Sequence, residues 1–132
     1  MDHIAASPVA VVISFIDRIN RGDADGLGEL MAEDYVLTVF DEAPQPGREA
    51  GIEGWRGYAA AFPRYLVLPH RIALVGDTVA VVGHTTGSHL GLPDEEESKL
   101  TLIWLGVVRD GLVARWTLIE DTPESRARWQ LD

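Results

Sequence analysis

The chain has 132 residues, a net charge of −10 and no cysteine, which indicates one globular domain without disulfide bonds, thiolate metal ligands or a cysteine nucleophile. An acidic surface repels phosphate backbones, so nucleic acid is not expected as a partner. The N-terminus carries no basic, apolar leader, and the longest apolar run, from Leu102, is too short to span a membrane. We therefore expect a single cytoplasmic domain over residues 1–132 with no membrane partner.

Three helices are predicted in the first half of the chain. Ser7 is a favourable N-cap for a helix that ends at Gly22, and apolar residues recur along it every three or four positions. Asp23 is a suitable N-cap for a shorter second helix. A third amphipathic helix is predicted from Ile52, and Pro63 stops it.

The remaining segments predict strands. One strand is expected at 34–42, and four more follow, joined by tight turns at 75–78 and 109–111. Helices that precede an antiparallel sheet must cover one of its faces. The order predicts an α+β fold, in which a cone-shaped, curved, mostly antiparallel sheet wraps around the three helices. The four later strands are expected near 66–75, 78–89, 99–109 and 112–120.

Two charged or polar segments lie outside this pattern. The acidic run "DEEE" at 94–97 is typical of a solvated loop. Thr122 is a suitable N-cap for a final helical turn in the C-terminal tail.

Four stretches of this chain resemble one known superfamily. The segment "INRGDADGLGELMAEDYVL" is similar to the start of nuclear transport factor 2-like proteins. "GDTVAV", "GSHLG" and "DGLVARWTLIE" resemble its SnoaL-like branch, which is named for polyketide cyclases. The resemblance covers nearly the whole chain and implies a cystatin-like α+β barrel, with a cavity between sheet and helices for a small-molecule ligand. Since this fold hosts enzymes, binding proteins and scaffolds, the resemblance leaves the function open.

The catalytic patterns known in this superfamily are incomplete here. Aligned on "NRGDADG" and "RDG", the catalytic positions of ketosteroid isomerases fall on Phe15, Val39 and Trp104, which cannot act as acids or bases. The histidine base of related dehydratases falls on Arg64. Strand 99–109 lacks the interior Asp and Arg of limonene epoxide hydrolases. The resemblance therefore assigns no reaction.

Glu120 and His89 remain as candidate catalytic residues. Glu120 lies where the SnoaL-like pattern often has an Asp, and an apolar wall would raise the pKa of such a carboxyl toward neutrality. His89 occupies the histidine of that pattern, and an imidazole titrates near neutral pH without help. No cofactor is expected, and no metal, because the histidine spacings match no ligand motif. The predicted ligand-binding residues are Tyr35, Asp41, His70, His84, Trp104 and Trp116.

Strand register decides which histidine faces the cavity. A two-residue turn at 76–77 places an apolar face on the inside, and that face continues to His70 and His89. His84 lies on the opposite face. The register therefore favours His70 and His89 over His84, although a single bulge would invert the assignment.

The orientation of Trp104 and Trp116 depends on the second hairpin. A three-residue loop at 109–111 with Gly111 as a bulge places both on one face with Glu120, whereas a two-residue loop separates the tryptophans. We expect the first arrangement. The structural alternatives are that both tryptophans fill the core and that Glu120 is an exposed strand end.

The outer face of the sheet is expected to need cover. The strand at 99–109 is apolar on both sides, and Ile103, Leu105 and Val107 share the outer one. A homodimer through this face would bury it. Alternatively, the C-terminal segment with Trp129 folds over it within one chain.

Three functions are compatible with these features. The first is a cofactor-independent cyclase, isomerase, dehydratase or hydrolase acting on a small apolar, polyketide- or terpenoid-like substrate by acid/base chemistry. The second is a ligand-binding protein without catalysis. The third is a dimerising scaffold.

Overall fold

Five helices and six strands make up residues 7–132, the part of the chain that this computed structural model describes. Residues 1–6 of the predicted domain lie outside it. The elements are α1 Pro8–Arg21, α2 Ala24–Glu29, β1 Met31–Val39, β2 Gln45–Pro46, α3 Arg48–Ala61, β3 Leu66–Val75, β4 Thr78–Thr86, α4 Asp94–Glu97, β5 Leu102–Arg109, β6 Leu112–Glu120 and α5 Pro123–Arg128.

The six strands form one sheet in the order β2-β1-β6-β5-β4-β3. The predicted meander of β3 to β6 is confirmed, and all of its neighbours pair antiparallel. β1 adds to β6 in parallel, which makes the sheet mixed but mostly antiparallel. The predicted α+β class is therefore confirmed.

The predicted helix caps are confirmed. The Ser7 hydroxyl accepts a hydrogen bond from the Ala10 N–H, and Gly22 ends α1 in a left-handed conformation with φ of 67°. The Asp23 carboxylate accepts a hydrogen bond from the Gly26 N–H at the start of α2. At the other end of the chain, Thr122 caps α5.

The inner face of the sheet carries the main core. α1 packs across β3, β4, β5 and β6, and α3 packs on α2 and β1. Val12, Phe15 and Val81 are fully buried in this core together with Trp104 and Trp116. Helices and sheet therefore enclose a wedge of space that opens on the side of α3.

The C-terminal segment covers part of the outer face. Leu131 is fully buried and packs in a second apolar cluster with Ala80, Val82 and Ile103, against which Trp129 also rests. The intrachain alternative is therefore the one found at Ile103. Leu105 and Val107, named with it as a dimer surface, remain half-buried.

Two short elements differ from the predictions. The solvated loop expected at 94–97 is wrong: these residues form α4, and its last residue, Glu97, is buried. β2 pairs with β1 through only two residues and had no alternating pattern to reveal it.

The strand predicted at 78–89 is shorter in the structure. β4 ends at Thr86, so His89 lies in the loop that follows rather than on the strand.

Candidate functional site

A cavity of about 280 Å³ lies between α3 and the inner face of the sheet. Most of its lining is aliphatic or aromatic, and His89 is its one imidazole among residues 7–132. The volume is at the lower end for small-molecule sites, which are mostly apolar with a few placed polar groups. The lining residues are Leu37, Val39, Gln45, Ala50, Gly51, Gly54, Trp55, Tyr58, Tyr65, His89, Trp104, Trp116 and Leu118.

Glycines on α3 form a smooth part of the cavity wall. A Cβ atom at Gly51 would lie 2.8 Å from the buried ring of Tyr35, so helix and strand approach closely there. A Cβ at Gly54 would meet nothing within 4 Å, because that side of the helix faces open space at the cavity. The space at Gly54 is therefore free for a ligand ring.

Trp104 and Trp116 line the opposite wall, as predicted from their shared face. Trp104 pairs with Leu118, and Gly106 pairs with Trp116. The loop predicted to produce this shared face, three residues at 109–111 with Gly111 as a bulge, is wrong. The hairpin turns through two residues with positive φ, Asp110 at 54° and Gly111 at 76°. The extra residue lies in β6 between Val113 and Arg115, opposite the step from Val107 to Val108 in β5, and this bulge restores the common face.

The indole N–H of Trp116 is buried without a hydrogen-bond partner among the described residues. The Trp116 ring packs 4.9 Å from that of Phe15, and Gly106 leaves room for it. Buried donors in native proteins are nearly always paired, so this N–H is an exception among the described residues.

Tyr58 holds His89 through two hydrogen bonds. The phenol oxygen lies 2.8 Å from the His89 Nδ1, and the backbone N–H of His89 donates to the same oxygen at 3.1 Å. Because a phenol O–H is the better donor, Nδ1 accepts and the proton of the neutral ring is on Nε2. The Tyr58 ring is itself fixed between Phe62 and Tyr65, at centroid distances of 4.7 and 4.9 Å.

Both tyrosines at this corner remain neutral phenols at physiological pH. Burial raises the pKa of Tyr58, the hydrogen bond from the His89 backbone lowers it, and the negative charge of Glu97 raises it further. Burial also raises the pKa of Tyr65, and Tyr58 and Glu97 add to that rise. The Tyr58 O–H can therefore donate a hydrogen bond to the Nδ1 atom of His89.

Glu97 is a functional candidate that sequence reasoning missed. It is 1% exposed, its Oε2 accepts from the Thr85 hydroxyl, and its Oε1 lies 3.4 Å from the Ser88 N–H. Nothing in "DEEE" distinguishes the last carboxylate from the three exposed ones before it. The available signal was the pair of polar residues at the end of β4 and just after it, Thr85 and Ser88.

His70 and His84 lie together on the outer face, away from the cavity. The preference for His70 as a cavity residue is wrong, because His70 is the extra residue of a bulge where the β3–β4 register shifts between Pro69 and Arg71. Its Nε2 lies 2.6 Å from the His84 Nδ1. Burial and the neighbouring charge of His70 lower the pKa of His84, and Glu97 opposes them.

Three other predicted residues do not line the cavity. Tyr35 is fully buried beneath it, accepts a 3.4 Å hydrogen bond from the Trp55 N–H, and has its pKa raised by burial to about 12. Asp41 is exposed just beyond β1. Glu120 is exposed at the end of β6, opposite Leu102, so the expected placement of its carboxylate in the cavity is wrong.

No helix within residues 7–132 is long and apolar enough to cross a membrane. The same part of the chain contains no cluster of three His, Asp or Glu side chains arranged to hold a metal ion.

Solved structures of similar fold extend over nearly the whole chain. A candidate polyketide cyclase from Sinorhizobium meliloti is 28% identical, with a TM-score of 0.67, 82% of this chain covered and 92% of that one. A cystatin fold protein from Novosphingobium aromaticivorans is 19% identical, with a TM-score of 0.75 and coverages of 87% and 99%. TerC, crystallised with polyporic acid, is 17% identical, with a TM-score of 0.70 and coverages of 95% and 99%.

No curated protein matches the chain significantly. The family model of the SnoaL-like domain, in contrast, matches residues 12–116, which include most of α1, most of the sheet and all but one of the cavity-lining residues. Since this match spans well over half of the chain, the protein belongs to the SnoaL-like family of the nuclear transport factor 2-like superfamily.

Proposed function

We propose that this protein binds a small, flat, largely apolar ligand in the cavity beside α3, and that His89 acts on it as a cofactor-independent acid/base. The observation that carries the proposal is the hydrogen-bonded pair of Tyr58 and His89 in the wall of an otherwise apolar cavity. An imidazole held by a second group in such a place is a recognisable general acid/base arrangement.

The ligand class follows from the cavity wall. Trp104, Trp116 and the smooth surface at Gly54 suit a ring system. The Trp116 N–H is unpaired but buried, so a carbonyl or hydroxyl oxygen on that ring would pair with it only if the indole shifts toward the cavity. Polyporic acid, found with the structurally similar TerC, is a ligand with rings and oxygen substituents, which makes it a reasonable probe.

The proposed chemistry uses the Nε2 atom of His89. When the ring is protonated at both nitrogens, Nδ1–H donates to the Tyr58 oxygen and Nε2–H can protonate a ligand atom. The neutral ring that remains keeps its proton on Nδ1, where it donates to Tyr58, and its bare Nε2 can take a proton back; a resting ring with its proton on Nε2 can only donate a hydrogen bond to the ligand. Cyclisation, isomerisation, dehydration and hydrolysis all need such transfers, and the family's polyketide- and terpenoid-like substrates would supply suitable carbonyls.

The role proposed for Glu120 is weaker than that of His89. Its carboxylate is exposed at the strand end, away from the apolar lining of the cavity. We retain it as a second acid/base group only for ligands that project out of the cavity mouth. The same holds for Asp41.

Binding and proton transfer are tested separately. Polyporic acid is titrated while tryptophan fluorescence is recorded, and His89→Gln should weaken binding about tenfold, equivalent to about 1.4 kcal/mol. His70→Gln on the outer face and Glu120→Gln should change the affinity less than about twofold. Equal affinities for all three variants would contradict the proposal.

Proton transfer is followed with 2-tetralone, a small ring ketone whose α-hydrogens exchange in D₂O. The protein should accelerate this exchange, and His89→Gln should reduce the acceleration about 10²-fold, the usual contribution of a positioned acid or base. Saturable binding without any acceleration would support the alternative, a ligand-binding protein without catalysis.

A cytoplasmic homodimer remains a further proposal. Leu105 and Val107 are half-buried on the outer face beside the C-terminal cover, and a two-fold partner could bury what is left. Sedimentation at micromolar concentration should then give a dimer, and Leu105→Lys should give monomers. A wild-type monomer would refute this assembly.

A further inference from the structure

We propose that Glu97 is the positioning residue of the site: its buried carboxylate clamps the loop after β4 so that His89 stays in the cavity wall, hydrogen-bonded to Tyr58. The inference rests on the proposed function for its biological meaning. Its structural content, a carboxylate that fixes an imidazole it does not touch, can be measured without any ligand.

The burial of Glu97 is unusual and calls for a reason. A carboxylate that is 1% exposed loses its hydration, which costs several kcal/mol unless partners replace the water. Within residues 7–132, no Lys, Arg or His forms an ion pair with it. Its partners are the Thr85 hydroxyl and the Ser88 N–H, both of them on the segment that leads to His89.

These two contacts fix both ends of a sharp turn. Thr85 is the last inward-facing residue of β4, and Ser88 follows Gly87, which has a φ of 68°. The Ser88 hydroxyl then accepts from the Leu90 N–H at 3.2 Å. Glu97 therefore holds the start of this turn through Thr85 and Ser88, and the hydrogen bond between Ser88 and Leu90 closes the residues that follow.

The rest of the loop has few other restraints. His89, Leu90, Gly91 and Leu92 are all exposed, and Gly91 has a φ of 68°. Tyr58 hydrogen-bonds His89 through the phenol oxygen, and Phe62 packs edge-on to the imidazole at a centroid distance of 6.2 Å. Without the contact between Glu97 and Ser88, the loop would be mobile, and the hydrogen bond between His89 and Tyr58 would form for only part of the time.

The negative charge of Glu97 also reaches the same corner. It raises the pKa of Tyr58, in addition to the larger effect of burial. The phenol is protonated at neutral pH with or without this charge, so the tautomer of His89 depends on the position of its ring.

The experiment is an NMR measurement of the His89 ring nitrogens in the intact, ligand-free protein, with the signal assigned by its loss in His89→Gln. In wild type, His89 should occupy one neutral tautomer, with the proton on Nε2. Glu97→Ala should shift it to the mixture of tautomers seen for a free imidazole. Glu97→Gln, which keeps an acceptor oxygen, should restore the single tautomer while lowering the pKa of Tyr58.

A matched control lies one residue away. Glu96 is exposed on the same helix and pairs with Lys99, so Glu96→Ala should leave the His89 signal unchanged. If Glu97→Ala does not fold, Glu97→Met keeps the length, removes both acceptors and carries the same expectation. A single Nε2–H tautomer in folded Glu97→Ala or Glu97→Met would overturn the inference.

The two proposals fail in different ways. If Glu97→Ala gives mixed His89 tautomers but neither Glu97→Ala nor His89→Gln changes the affinity for polyporic acid, the positioning role stands and the proposed function falls. If ligand binding depends on His89 but the tautomer does not depend on Glu97, the function stands and the clamp is wrong. With both correct, Glu97→Ala should weaken polyporic acid binding about tenfold, the loss expected when a side chain must be ordered on binding.

Discussion

The phenol oxygen of Tyr58 contacts both the backbone N–H and the ring Nδ1 of His89, at 3.1 and 2.8 Å. One side chain on α3 therefore sets the position and the tautomer of an imidazole on a loop 31 residues later.

Tyr58→Phe should remove both hydrogen bonds to His89, while the phenyl ring still fills the position of the phenol ring. The phenyl ring keeps its contacts with Phe62 and Tyr65, so the free energy of unfolding should fall by only about 1 kcal/mol, the net value of a hydrogen bond. The His89 ring should show mixed tautomers by NMR. Tyr65→Phe is the control, because no described residue accepts a hydrogen bond from that hydroxyl. Identical His89 spectra in both variants would contradict this role of Tyr58.

The Trp116 indole N–H tests whether a ligand oxygen reaches a donor that the free protein keeps buried. In the free protein its proton resonance should lie upfield, as expected for an unpaired donor, since no described residue accepts from it. Polyporic acid should move it downfield, whereas a hydrocarbon of similar shape should not. The spectrum is a ¹H–¹⁵N correlation of the four indole groups. A response to the hydrocarbon equal to that for polyporic acid would argue against a hydrogen bond.

Two glycines of α3 should respond in opposite ways to alanine. At Gly51 the new methyl would lie 2.8 Å from the buried Tyr35 ring, and overpacking of this kind costs about 1–3 kcal/mol. At Gly57 nothing lies within 4 Å, so the same change should stabilise the helix by up to about 1 kcal/mol. Urea unfolding measures both free energies, and a neutral Gly51→Ala would show that Tyr35 moves freely.

Stability should depend on pH through His84. Burial and the charge of His70 lower its pKa below the ordinary 6.5, against an opposing effect of Glu97. A histidine whose pKa is lower in the folded state stabilises the protein fully above pH of about 6.5, and this contribution is lost as pH falls through the folded value. Denaturation midpoints between pH 5 and 8 measure it. His84→Gln should flatten this part of the profile, and an unchanged slope would contradict the assignment.

Local patterns were enough to predict most of the fold. Ser7, Gly22 and Asp23 are capping residues whose backbone requirements are the same in any protein, and each one ends or begins a helix where expected. The meander from β3 to β6 followed from alternation and two turn signals. Which face each strand presents was harder to predict.

Bulges account for the misplaced site residues. One extra residue at His70 moves that imidazole to the outer face, and the local signal for it is Pro69, because proline within a strand is confined to edge strands and bulges. A second bulge in β6 cancels the effect of the shorter hairpin, so Trp104 and Trp116 share a face for a reason other than the predicted one.

Long-range packing accounts for the remaining differences. Glu97 is buried only because α4 folds against β4, a contact that the acidic run itself argues against. Leu131 covers the outer face near Ile103 because α5 returns the chain across the sheet. Both contacts join segments whose own sequences are polar or short, and periodicity has little to say about them.

Filling the cavity at Gly54 tests the central claim most directly, since the claim is that this space holds the ligand. Gly54→Leu and Gly57→Leu both place a good helix former in α3 with no steric conflict at Cβ, and only Gly54 lines the cavity. Polyporic acid binding, measured by tryptophan fluorescence, should weaken at least about tenfold in Gly54→Leu, equivalent to about 1.4 kcal/mol, and remain at the wild-type value in Gly57→Leu. Wild-type affinity in Gly54→Leu would contradict the account.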